Sequence, residues 1–108
     1  MNQTVYKSEK ITKIVPSISP VRSMDDHLIF ENLKNGDEQA FEVLFKRYYQ
    51  RLCHYVFQYV KNMSDAEEIV QEVFVNIWDK RAVLDVSISI RSYIYAAVKN
   101  KAINALRN

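Results

Sequence analysis

Between Asp37 and about Lys61, apolar side chains recur at Phe41, Leu44, Phe45, Tyr48, Leu52, Tyr55, Val56 and Tyr59. That spacing of three and four predicts one long amphipathic helix. Lys46, Arg47, Gln50 and Arg51 fall on its other side, as a solvated face requires. Ahead of it, residues 25–34 open with two carboxylates suited to a helix N-terminus and set Leu28, Ile29 and Leu33 on one side. Gly36, the only glycine, stands where a left-handed cap would end this short helix. Ser64-Asp65-Ala66-Glu67 has the form of a capping box, the Ser64 hydroxyl accepting from the third helical amide and Glu67 reaching back. A third helix is therefore expected from Ser64 to about Lys80, with Ile69, Val70, Val73, Phe74 and Ile77 as its buried stripe. Residues 81–89 alternate briefly, but a lone strand has nothing to pair with in a helical chain, so the segment reads as a loop. From Ile90 the helical period returns, with Ile94, Ala97, Val98, Ala102, Ala105 and Leu106 on one side. The fold class is all-α, a compact bundle of about four helices.

Composition agrees. One glycine and two prolines in 108 residues leave little to punctuate a many-stranded sheet. Both prolines and four basic residues fall in residues 1–23, which show no period and read as a flexible basic tail; residues 24–108 form the one helical domain. Cys53, the only cysteine, cannot form an internal disulfide and falls within an apolar stripe, so it reads as a small core hydrophobe in a reducing setting. No apolar run approaches the roughly 18 residues of a membrane span, and the start lacks a signal peptide's apolar region. A soluble, cytoplasmic protein is expected.

The net charge of +2 conceals a polarised chain: +3 over residues 1–23, −1 over 24–63, −4 over 64–80 and +4 over 81–108. An acidic helix followed by a basic one suggests two partners, the basic part being the candidate for nucleic acid. Catalysis has no foundation here, since there is no glycine-rich phosphate loop, no Cys or His pair at metal spacing, and no matched partner for His27 or His54. Neither a metal nor a cofactor is expected.

Two helical surfaces remain. At about 100° per residue, the outer face of helix 64–80 gathers Glu68, Gln71, Glu72, Val75 and Asp79, with Trp78 at its edge. A solvated face accounts for the carboxylates alone; an exposed Val75 with Trp78, ringed by charge, fits a protein-binding patch for a basic partner. On the last helix Tyr93, Ala96, Asn100, Asn104 and Arg107 form a stripe opposite the apolar arc, flanked by Lys99 and Lys101. Asparagine costs about half a kcal/mol relative to alanine inside a helix. Two of them one turn apart suit either a plain polar face or a surface in which amides meet base edges, cations meet phosphates and a tyrosine ring stacks on a base.

The segments GDEQAFEVLFKRYYQRL (36–52), DAEEIVQEVFVNIWDK (65–80) and RSYIYAAVKNKAINALRN (91–108) together resemble region 2 of the extracytoplasmic-function (ECF) sigma factors of bacterial RNA polymerase. The resemblance covers residues 25–108, and Asp-Ala-Glu followed by Val-Gln-Glu-Val-Phe and Trp is its most specific part. It implies a role in transcription initiation. The helix matching 65–80 would dock on the clamp coiled coil of core RNA polymerase's largest subunit through Glu68, Gln71, Glu72, Val75 and Trp78. The loop matching 82–89 and the last helix, with Arg91, Tyr93, Lys99, Asn100, Lys101, Asn104 and Arg107, would recognise and melt the minus-ten-type promoter element by holding its non-template strand. An anti-sigma protein is implied as a further partner. Many ECF members carry Trp-Leu where this chain has Tyr93-Ile94, and the family continues into a helix-turn-helix domain beyond the residues present. The other reading is a helical protein–protein adaptor that uses only the acidic patch; salt-sensitive binding of single-stranded DNA separates the two.

Overall fold

Asp25 begins the first helix. Its backbone is extended, and its side chain accepts a 2.8 Å hydrogen bond from the Leu28 amide, satisfying one of the donors every helix start leaves open. The computed structural model describes residues 25–85 and 89–107, so the expected basic tail at 1–23 and part of the expected loop at 82–89 lie outside the described residues. Four helices are present among those described: α1 (Asp26–Lys34), α2 (Glu38–Val60), α3 (Met63–Asp79) and α4 (Ile90–Arg107), with no strand.

Gly36 ends α1 at φ +87°. Its amide bonds to the Leu33 carbonyl at 2.9 Å and the Asp37 amide to the Asn32 carbonyl at 3.1 Å, the paired bonds of a Schellman cap. A Cβ here would meet only Arg81 Nε, at 3.9 Å, so a side chain has room and the obstacle is the backbone angle. Gly36→Ala should therefore cost about 1–2 kcal/mol of left-handed strain, with Gly36→Asn costing less, as read by urea denaturation. A cost for alanine equal to that for asparagine would contradict this origin.

The α2–α3 turn departs from the expected capping box. Lys61 takes the left-handed conformation at φ 62° and Asn62 the extended one, so Asn62 rather than Ser64 is the cap, its side chain accepting from the Asp65 amide at 2.9 Å. Ser64 lies already inside the first turn. Asp65, rather than Glu67, is then the acidic residue at the third helical position, close to the positive end of the helix dipole.

Helix α2 packs against each of the other three, and α4 also packs on α3 and touches α1. The core between them holds Ile29, Leu33, Leu44, Leu52, Val56, Val70, Phe74, Ile77, Ile94 and Val98, all essentially inaccessible. Cys53 is buried as its place in the stripe predicted, and burial pushes its thiol pKa up. Phe74 meets Phe45 edge-on at 5.0 Å and Phe41 at 6.1 Å. Two expected stripes shift. In α1, Phe30 is buried while Leu28 is 47% exposed, because the helix inserts between α2 and α4 on the Phe30 side. In α4, burial steps through Ile90, Ile94, Val98 and Ala102 and then stops. Ala105 and Leu106 border an open groove rather than a neighbouring helix.

A polar tie joins α1 to α2. Asp26 accepts from Arg47 at 2.9 Å and from the Tyr48 hydroxyl. Burial, and then the bond to the Asp26 carboxylate, push the Tyr48 pKa up to about 12; burial does the same to Tyr49. Between their usual value near 10 and about 12, the unfolded chain loses these protons while the folded one keeps them, so stability falls as pH rises. The melting temperature should drop between pH 9.5 and 11.5, and Tyr48→Phe should flatten that drop. A profile unchanged in the variant would remove Tyr48 as a contributor.

Candidate functional site

Helix α3 and helix α4 run side by side, and their facing edges bring the two expected surfaces into contact. Lys101 Nζ lies 3.1 Å from Glu72 Oε1. Around this pair is an open groove of about 540 Å³, walled on α3 by Asp65, Glu68 and Glu72 and on α4 by Lys101, Asn104 and Ala105, with Val60, Ile69 and Leu106 as its apolar part. The sequence assigned Glu72 and Lys101 to different faces and different partners. The signal that could have paired them is positional: Lys101 follows buried Ile94 by seven residues and Glu72 follows buried Ile69 by three, so each sits beside its helix's core stripe.

The remaining α3 residues fare differently. Glu68 is exposed and Glu72 half-buried. Gln71 is half-buried and donates to the Tyr49 hydroxyl at 3.2 Å, which ties it to α2. Val75, expected as the exposed apolar centre of the patch, is 5% exposed and belongs to the core. Its angular position was read correctly, but α3 is packed by both α2 and α4, and more of its circumference is covered than a single stripe requires. An apolar anchor at Val75 is therefore excluded. Trp78 is half-buried against Phe41, with ring centroids 5.1 Å apart, and carries Arg81 on its other side: the guanidinium lies 3.9 Å from the ring centroid and donates to the Trp78 carbonyl at 2.6 Å. Arg81 went unnoticed in the sequence, although a cation three residues after a tryptophan at a helix end suits such stacking.

On α4, Ser89 caps the start by accepting from the Ser92 amide at 3.0 Å. Lys99, Asn100, Asn104 and Arg107 are exposed, and the last three share one stripe with Tyr93, which is half-buried against the core. Arg91 does not join them. Nine residues before Asn100, it stands about half a turn round the helix, with its guanidinium 5.5 Å from the Tyr95 ring on the side of α1 and α2. The turn after α3 presents Val83, 80% exposed, and is held by Leu84, which is buried. Residues 86–88 lie outside the described residues.

Among the described residues no group of three or more His, Cys, Asp or Glu side chains is placed to hold a metal ion, and no helix is long and apolar enough to cross a membrane. The arrangement sets carboxylates and an aromatic edge on α3, and amides and cations on α4.

Comparison with known proteins identifies the family. A family model described as sigma-70 region 2 matches residues 44–108. An ECF RNA polymerase sigma factor, RpoE, of Cereibacter sphaeroides is 31% identical over 91 residues, covering 83% of this chain and 46% of the relative. The ECF RNA polymerase sigma-E factor of Escherichia coli K12 is 26% identical over 83 residues, covering 77% of this chain and 43% of the relative. The chain thus spans about half the length of the curated relatives it matches. No solved structure matches it.

Proposed function

Since the chain belongs to the sigma-70 region 2 family, as a domain of the ECF sigma factors, we propose that it binds core RNA polymerase through α3 and opens promoter DNA through α4 and the turn before it. The family is not enzymatic, and the domain's work is binding energy directed at two partners. The observation that carries the reading is the placement of an acidic surface containing Glu68 and Glu72 directly beside an exposed row of Asn100, Asn104 and Arg107. The acidic surface complements a basic helical partner, the clamp coiled coil of the largest subunit. Beside it, the amide row is positioned to meet the non-template strand where that strand separates from its complement. Extruding a base costs a few kcal/mol of stacking and pairing, so contacts made only with the opened strand favour melting. Its place of action is the cytoplasm, and an anti-sigma protein that covers the same surfaces would silence it.

The test separates base choice from charge. In fluorescence anisotropy with labelled non-template oligonucleotides and assembled holoenzyme, Asn100→Ala should cost about 1–3 kcal/mol against the preferred sequence and almost nothing against a scrambled one. Lys99→Ala should weaken both alike and lower the salt slope by somewhat less than one. Equal loss on both oligonucleotides for Asn100→Ala would make the row a phosphate track and move base choice to the 82–89 loop.

A further inference from the structure

Gln71 follows Glu68 by three residues and so lies about 60° round α3 from it, on the side that meets α2. Its amide differs from the carboxylates beside it. It has a donor end and an acceptor end, and a turn about its last bond exchanges them. Across the α2–α3 interface, Nε2 donates to the Tyr49 hydroxyl at 3.2 Å. Tyr49 is itself held in place: it is half-buried, and its ring stacks on Phe45 with centroids 4.6 Å and planes 28° apart. The same hydroxyl shares a hydrogen bond with the buried Cys53 thiol, one turn further along α2. An O–H is the stronger donor of such a pair. The phenolic proton is thus engaged by sulfur, and the oxygen is left to accept. We infer that Tyr49 is a positioning residue for polymerase binding: its hydroxyl turns the Gln71 NH2 inward, so that α3 shows a basic partner the Gln71 Oε1 next to the Glu68 carboxylate. This role rests on the polymerase docking proposed above and adds to it a residue of α2 that the partner need not touch.

The direction of the amide matters because a basic surface brings only donors. Ammonium and guanidinium groups carry no acceptor. Facing them, an outward Oε1 takes a charge-assisted hydrogen bond, whereas an outward NH2 sets donor against donor. Loss of a hydrogen bond from a charged group corresponds to about tenfold or more in affinity. An amide freed from Tyr49 must instead be fixed on binding, and immobilising such a side chain costs about two- to tenfold.

The experiment titrates the labelled 108-residue chain with core polymerase at fixed salt. Tyr49→Phe keeps the ring on Phe45 and removes only the hydroxyl, and it should bind about two- to tenfold more weakly than the wild type. Gln71→Ala should lose about tenfold or more. In that background Tyr49→Phe should make no further difference, whereas a merely structural role for the hydroxyl would persist there. In nuclear magnetic resonance spectra of the isotope-labelled free chain, the Gln71 side-chain NH2 signals should shift in Tyr49→Phe while the backbone amides of α4 keep theirs. Unchanged core affinity in Tyr49→Phe or in Gln71→Ala overturns the role. So does a Tyr49→Phe loss that survives Gln71→Ala, or NH2 signals indifferent to the hydroxyl. Docking through α3 fails on different data, namely unchanged core affinity in Glu68→Lys.

Discussion

Phe74→Ala should remove about 3–5 kcal/mol of folding stability, the usual cost of truncating a buried aromatic. The ring is inaccessible to solvent, faces Phe41 and Phe45 from α2, and sits in the largest of the interhelical contacts. Its loss forfeits the transfer energy of the removed atoms and leaves a void that three helices cannot all close upon. A domain of this size has on the order of 5–10 kcal/mol in total. The variant should therefore lose from about a third to all of that margin, with its melting temperature lowered by about 15–30 °C. Phe57, 38% exposed on α2, gives the contrast, and its alanine variant should cost less than about 1 kcal/mol. Circular dichroism during urea titration reads both. A Phe74→Ala cost below about 1.5 kcal/mol would mean that the α2–α3 contact is far less closely packed than described.

Reversing charge at Glu68 should weaken binding to core polymerase by at least about 1–3 kcal/mol, because a basic partner then meets a like charge. Glu68 is a sharper probe than Glu72. It is exposed, whereas reversing Glu72 would also break the bond to Lys101 and set two ammonium groups side by side. Helical content should not change in Glu68→Lys, since the side chain makes no part of the core. Glu67→Lys, about 100° round the same helix, should bind core enzyme nearly as the wild type does. Binding is measured by titrating labelled chain with core polymerase at fixed salt. Unchanged affinity for Glu68→Lys would remove this face of α3 from the interface, and equal weakening by Glu67→Lys would reduce the effect to overall charge.

Much of the fold was legible because each helix carries its own punctuation. Asp25, Asp37 and Gly36 stand where a cap must stand, and the apolar period of α2 is long enough to leave no alternative. What was not legible depended on neighbours. Asn62 displaced Ser64 as the cap because Lys61 took a left-handed angle that nothing in its chemistry announces. Val75 was placed at the right angle and given the wrong environment, since periodicity predicts one buried stripe and α3 has two packing partners. The pairing of Glu72 with Lys101 spans 29 residues: position beside each core stripe marks both as edge residues, but no local pattern fixes which edges of two helices will meet. At the level of single side chains, the amide row on α4 was visible from spacing alone, while the separation of Arg91 from it required only the same angular count.

The two-residue turn at Lys61 and Asn62 has a consequence for how the chain acquires its shape. Loop closure is least costly when the joined elements are adjacent in sequence, and α2 and α3 form the largest helix contact across the shortest connection in the domain. This hairpin is the segment able to assemble first, on the fast timescale of chains rich in local contacts. Helix α4 joins later, since ten residues, Lys80 to Ser89, separate it from α3 in sequence and make the longer loop to close. Helix α3 is thus expected to form early and α4 late, and local opening of the folded domain is expected to release α4 while α2 and α3 stay together.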